Sequence, residues 1–251
     1  MVLYEARLLF LPLAVNTFLY PSFSLAQSYS SRDFATVSVG ELAMPGKAVK
    51  AFNKGTALLV KGDAQGSLPY FQTAIDLAPN ASYRPYHNLA LAHYRLGHVD
   101  AAEENFQKSI DLSKGNFAPS MFGLSMILYR RAEFVQAESL VQRAMLVAPG
   151  SGLGKYCLGL IQYSLGRVAE AERTALSAIQ LDASEIDAYV LLAHVHERLH
   201  NPSAVIADVQ KYLKLSSNHD LQSDALALLQ RAQENIAPLS ASLSEHPKVQ
   251  N

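Results

Sequence analysis

The chain reads as an all-α solenoid, a row of stacked helical hairpins, and three observations carry that expectation. Gly62, Gly97, Ala132, Gly166 and His200 recur at steps of 35, 35, 34 and 34 residues. Ahead of each stands a small residue, Gly55, Ala90, Ser125, Gly159 or Ala193, and another follows it, at Ser67, Ala102, Ala137 or Ala171, with Val205 last. Prolines 79 and 149 close two of the units. A fixed period of this size marks units that are each one supersecondary element and bury their apolar faces only against their neighbours.

In chain order, the first 26 residues stand apart. An apolar run, Leu8 to Tyr20, follows Arg7, and Ser24-Leu25-Ala26 offers the small residues an export peptidase reads, so residues 1–26 are expected to be a signal peptide cleaved before Gln27. An uncleaved membrane anchor is the alternative, although the run is short of the roughly 20 residues a spanning helix needs. Residues 27–44 form a Ser-rich linker, with one extended-looking stretch at Ala35 to Val39.

Pro45 suits the start of the first repeat helix, where a missing N–H costs nothing. Units follow at about 48–82, 83–117, 118–151, 152–185 and 186–219. Glycine ends the first helix in three of the units because it adopts positive φ without a Cβ penalty, and Ala132 and His200 stand in for it in the other two. Large residues after the turn, Phe71, Phe106, Val141 and Val209, fill the space toward the next hairpin, and Ala175 stands in the fourth unit. Leu89, Leu124, Leu158 and Leu192 precede the small residue of the first helix, and Lys54 is the misfit among them. Pro69 is expected to delay the start of its helix. Behind Asp220, a good N-cap, Leu221, Ala225, Leu228, Leu229, Ala232 and Ile236 recur at helical spacing. They predict a capping helix over 220–236 that Pro238 ends, with 237–251 as a disordered tail. The expectation is eleven helices and no sheet.

These slots resemble the tetratricopeptide repeat family, whose 34-residue helix–turn–helix carries aromatic, Leu, Gly, Tyr, Ala, Phe and Pro positions. The resemblance runs from Ala48 to about Ser217. The opening aromatic slot reads Ala51, Tyr86, Met121, Lys155 and Tyr189, so the first and fourth units fit less well, and the fifth diverges at Val205, Val209 and Tyr212. It implies a right-handed superhelix of five units whose first helices line a concave groove, and a scaffold that binds protein rather than an enzyme.

Composition narrows the partners. Net charge is −1, from 21 basic and 22 acidic residues without a basic block, which disfavours nucleic acid or an anionic membrane as the main partner. Cys157 is the only cysteine, so no intramolecular disulfide can form, and it reads as a small buried hydrophobe.

Two segments resemble chemistry. His196-Glu197-Arg198-Leu199-His200 matches H-E-x-x-H, in which two histidines one turn apart hold Zn²⁺ and the glutamate activates water. A zinc metallohydrolase is therefore one alternative function. The packing reading is stronger: His196 repeats the slot of His93, His200 repeats the turn slot, and no third histidine follows at the extended motif's spacing. The segment Pro149 to Lys155 looks like a phosphate loop, but Pro149 replaces its first glycine and Tyr156 its Ser/Thr, so it reads as an inter-repeat turn. No cofactor and no metal are expected.

The groove is expected to be lined by a stripe of first-helix residues at i, i+4 and i+7. It comprises Phe52, then His87, Leu91 and Tyr94, then Phe122, Met126 and Tyr129, then Tyr156, Leu160 and Tyr163, and last His194 and Glu197. Arg95, Arg130 and Arg198 flank it. Tyr, Phe, Met and Arg are the types enriched at interfaces, so the stripe is expected to hold a partner's peptide or helix, with Tyr94, Phe122, Tyr129, Tyr156 and Tyr163 partly exposed. Some members of the family clamp a terminal carboxylate; only Asn88 resembles a part of that clamp, so a chaperone-tail receptor is not implied. The expected function is an exported, periplasmic or secreted, non-enzymatic scaffold, with a self-associating structural spacer as a further alternative.

Overall fold

The structure, a computed structural model, describes residues 44–216 and 221–244. Eleven helices account for nearly all of them, with no strand among the described residues. The first hairpin is α1 (Gly46–Val60) and α2 (Ala64–Leu77), the second α3 (Arg84–Arg95) and α4 (Val99–Leu112), the third α5 (Ala118–Arg130) and α6 (Phe134–Val147). The fourth is α7 (Gly152–Ser164) and α8 (Val168–Leu181), the fifth α9 (Asp187–Arg198) and α10 (Pro202–Leu215), and α11 (Gln222–Ser244) follows. Helices touch their hairpin partner and the adjoining hairpins, so the fold is a one-dimensional stack.

The turn slot explains the period. Gly62, Gly97 and Gly166 are left-handed, with φ of 88°, 76° and 78°, and Ala132 and His200 take the same conformation at 60° and 55°. The residue after each donates back five positions, Asp63 to Leu58, His98 to His93, Glu133 to Leu128, Arg167 to Gln162 and Asn201 to His196, at 2.9–3.0 Å. This bond satisfies a carbonyl the helix end would otherwise leave open, so it holds the turn even where a side chain strains it.

The small and large slots interlock as expected. Ser67, Ala102, Ala137, Ala171 and Val205 are buried, as are Phe71, Phe106, Val141, Ala175 and Val209. A Cβ at Gly55 would stand 2.8 Å from the Phe71 ring, and one at Gly159 would stand 2.9 Å from Leu191 of the next unit. Only a bare backbone permits those approaches. The serines in such slots are satisfied locally: Ser67 donates to the Ala64 carbonyl and Ser125 to that of Phe122, both at 2.7 Å. Cys157 is fully buried, and burial pushes its thiol well up.

One core runs through the first four hairpins into α9, and a second joins the fifth hairpin to α11 through Val190, Val209, Tyr212, Leu221, Ala225 and Leu228. The capping role predicted for α11 is therefore met. Its length is not: the helix passes Pro238 and continues to Ser244. A proline withholds one donor and strains one turn, while later amides still reach carbonyls four back. Pro69 likewise does not delay α2, which begins at Ala64. The carbonyl it leaves without a helical donor belongs to Gln65, which is exposed to water, as is Pro69 itself. The expected signal peptide, nearly all of the linker, the Asp220 cap and residues 245–251 lie outside the described residues.

The connection into α9 carries one buried acid. Glu185 is 8% exposed, and burial, reinforced by the charges of Asp187 and Asp182, pushes its carboxyl up to about 8. The unfolded chain ionises it near 4.5, so unfolding releases a proton between those values and stability falls as pH rises from 4.5 to about 8. Glu185→Gln keeps the shape and cannot ionise. Thermal melts should show variant and wild type alike below pH 4.5 and the variant more stable at pH 8; melts that stay parallel across the window would show that the carboxyl is not held neutral.

Candidate functional site

The first-helix stripe lies against the neighbouring hairpins rather than in solvent. His87, Leu91, Phe122, Met126, Tyr156 and Leu160 are each 3% exposed or less, and Tyr94 and Tyr129 are 7% exposed. His194 is buried as well. The expectation of partial exposure is overturned for Tyr94, Phe122, Tyr129 and Tyr156, and holds for Tyr163. Phe122 meets Gly154 of the next unit, where a Cβ would stand 2.7 Å from the ring. The facing slot reads Pro85, Ser120, Gly154 and Ala188, all compact residues that admit the previous unit's stripe. That second run of compact residues, at steps of 35, 34 and 34, was the sequence signal for a packed stripe.

His87 shows how polar groups are used there. Its Nδ1 lies 2.8 Å from Ser120 Oγ, which pairs in turn with Ser109 at 2.7 Å, and its ring meets Phe106 and Phe117. Burial lowers its pKa to about 3, so the imidazole is neutral. This is a core contact between units.

What remains accessible is the rim at the C-terminal ends of the first helices. Arg95, Tyr163 and Glu197 are half-buried there, and Arg130 and Arg198 are exposed; Phe52, in the middle of α1, is half-buried beside the Phe71 ring. The arginines repeat a contact with the preceding unit. Arg95 Nη1 donates to the Leu59 carbonyl at 2.7 Å, and Arg198 Nη1 reaches the Tyr163 carbonyl at 3.4 Å. The guanidinium of Arg130 lies 5.4 Å from the centre of the Tyr94 ring, and that of Arg198 lies 5.1 Å from the Tyr163 ring. In the fourth unit Ser164 holds the arginine's place and donates to Tyr129 Oη at 3.2 Å. Cations over aromatic faces and beside helix C-terminal carbonyls are both favourable placements. Burial raises the hydroxyl pKa of Tyr94, Tyr129 and Tyr163, so all three are neutral phenols.

Polar residues of the fifth unit bind it to its neighbours. His196 Nδ1 lies 2.6 Å from Asp208 and its Nε2 lies 3.2 Å from Glu172. Both ring nitrogens are thereby engaged with separate carboxylates, and His200 is exposed in the left-handed turn. Glu197 makes a two-point contact with Arg231 of α11, at 2.6 and 3.2 Å. The three residues of the H-E-x-x-H match thus serve an inter-helix pair, a tie to the cap and a turn. His194 Nε2 pairs with Asp224 at 2.7 Å in a buried contact to the cap. Asp224 was not singled out from sequence, although an acid between Leu221 and Leu228 on an apolar face is itself the signal of a buried partner.

Residues 83–116, the second unit, match the family model described as a tetratricopeptide repeat. That unit is a tetratricopeptide repeat, and the stacked hairpins around it have the fold of tetratricopeptide repeat solenoids. The chain is 29% identical over 97 residues to an Arabidopsis thaliana protein described as Protein CTR9 homolog, a stretch that covers 38% of this chain and only 9% of that protein's length. Among solved structures it resembles TTC0263, a thermophilic TPR protein of Thermus thermophilus, with 22% identity, a TM-score of 0.64, and 73% of this chain and 99% of that one covered. PilW, a type IV pilus biogenesis factor, gives 16% identity, a TM-score of 0.62, and 80% and 96% coverage. YrrB, described as a TPR protein with an unusual peptide-binding site, gives 16%, 0.51, 74% and 92%. At these identities the likeness shows the fold.

Burial equalises two residues that the sequence set apart. Leu124 and Tyr129 are each 7% exposed. Leu124→Ala should cost about 2–5 kcal/mol and Tyr129→Ala about 3–5 kcal/mol by urea unfolding, since each leaves a cavity. A Tyr129→Ala protein as stable as wild type would return that ring to the groove surface.

Proposed function

We propose that this scaffold holds a carboxylate-bearing peptide or helix of a partner protein along the rim formed by Arg95, Arg130, Tyr163 and Arg198. A protein-interaction scaffold is the use to which the tetratricopeptide fold is generally put, and such proteins are generally non-enzymatic. The finer reading rests on one observation: guanidinium groups seated over tyrosine rings at corresponding positions of the third and fifth units, with Arg130 and Arg198 exposed. Seating on a ring fixes the plane of the guanidinium in advance, which lowers the entropy lost when it takes a carboxylate in two-point fashion. Tyrosine beside arginine is also the pairing enriched at binding hot spots. The name of YrrB supports a peptide ligand by analogy with that fold neighbour.

The test is affinity capture with the full chain, comparing wild type with Arg130→Ala and Arg198→Ala. Partners recovered by wild type should be lost from the variants, with a hot-spot loss of about 2 kcal/mol or more, and should weaken as salt rises. Melting temperatures should stay near wild type, since both side chains are exposed. Partners retained equally by all three proteins would move the site off this rim.

Export belongs to the same reading. The apolar run Leu8 to Tyr20 and the Ser24-Leu25-Ala26 site support cleavage before Gln27. Expression in a host with general secretion should yield a mature chain beginning at Gln27 by intact mass. A full-length form confined to cytosol would reject export, and one confined to membranes would favour the uncleaved anchor.

A further inference from the structure

The first helix departs from the other four at the face where a preceding unit would stack. Lys47, Lys50, Lys54 and Lys61 are all exposed, and α1 contains no acidic residue. At 100° per residue the four fall within one narrow sector, and Lys47, Lys54 and Lys61 stand seven residues apart. The row runs about 21 Å along the helix. None of the four has a carboxylate ion-pair partner among the described residues, and the Lys54 ammonium lies 4.4 Å above the Tyr70 ring.

The register of the row identifies what that face is. Lys50 corresponds to Pro85, Ser120, Gly154 and Ala188, all buried. Two of these show the contact directly: Ser120 bonds Ser109 of α4, and a Cβ on Gly154 would lie 3.2 Å from Met145 of α6. Lys54 corresponds to Leu89, Leu124, Leu158 and Leu192. In later units this face therefore packs on the second helix of the preceding hairpin. In α1 the same helix-sized seat carries ammonium groups.

Solubility alone asks only for a polar outer face on a terminal unit, which mixed charges provide without a field. Single-sign lysine does something further. With the whole chain at −1, the remainder is net acidic, so α1 is a local positive end on a near-neutral molecule.

We propose that the outer face of α1 docks an acidic helix of a partner protein, seated where a preceding repeat would lie. Carboxylates at i, i+3, i+7 and i+14 of that helix meet Lys47, Lys50, Lys54 and Lys61 across the contact. The spacing favours a helix, because residues seven apart rise about 10.5 Å on both partners and stay in register. Apolar residues are scarce on the face, so affinity comes from charge and is modest. The site is separate from the arginine rim and does not depend on it.

The test uses the full chain and a synthetic helical peptide of three heptads with Glu at the a and d positions, labelled for fluorescence anisotropy. Wild type should bind at low salt. Binding should weaken about tenfold or more in the Lys47→Glu/Lys50→Glu/Lys54→Glu variant, and should vanish when the peptide's Glu residues are replaced by Gln. Circular dichroism melts confirm that the variant folds, and Lys→Gln at the same three positions gives an intermediate affinity if charge is the cause. Equal binding by wild type and variant overturns the proposal, as does binding lost in Arg198→Ala instead. Lysine-dependent sedimentation with phosphatidylserine vesicles, without affinity for the peptide, would assign the face to a lipid surface. Lysine-dependent doubling of mass would assign it to a second copy of the chain.

Discussion

A hairpin of two short helices cannot close a core of its own, and this molecule follows from that limit. Each hairpin has a face of bulky residues and a face of compact ones, and stability comes from seating one on the other. Phe122 against Gly154, and Gly159 against Leu191, are such seats between successive units. Among the described residues, the first hairpin and the last show what happens where no further repeat is seen beside them. At one end α11 supplies Leu221, Ala225 and Leu228 to cover the fifth unit, and at the other α1 turns lysines outward.

The fold was legible because its strongest constraints are local. The left-handed turn restricts one position per unit, and the small-residue slots restrict two more, so five copies suffice to show the period. Ala132 and His200 show that the turn is set by its neighbours as much as by glycine: both are left-handed, and both are held by the same five-back bond. An L residue there costs about 1–2 kcal/mol, a strain the surrounding hydrogen bonds and packing absorb. The end of α11 was less legible, since proline stops a helix only where neither the turn before nor the turn after compensates, and a local rule does not contain that balance.

The groove was misread for a reason that is also physical. Helical periodicity shows which residues share a stripe but not how closely the next helix approaches it. That approach is set by the compact slot across from it, Ser120, Gly154 and Ala188, which belongs to the following unit. Where both are compact enough, an aromatic stripe is drawn into the stack, and only ring edges and flanking arginines remain at the rim. Tyr163 stays half-exposed where the next unit offers His194 and Glu197.

The fifth unit shows the same logic in polar form. Its departures from the repeat pattern, His194, His196 and Glu197, look like chemistry in the sequence. Each has instead a partner outside its own helix: Asp224, the Asp208–Glu172 pair, and Arg231. The last ordinary unit faces a cap that is not a repeat, so its side chains must match a surface the other units never meet. Directional contacts suit that junction, because they fix the angle at which α11 lies against the fifth hairpin. Polar residues that break a repeat at its terminus therefore mark the joint with the cap. The lysines of α1 break the repeat in the same way in the first described unit, and none of them meets a carboxylate among the described residues, whereas each polar residue that breaks the pattern beside α11 has its partner in place.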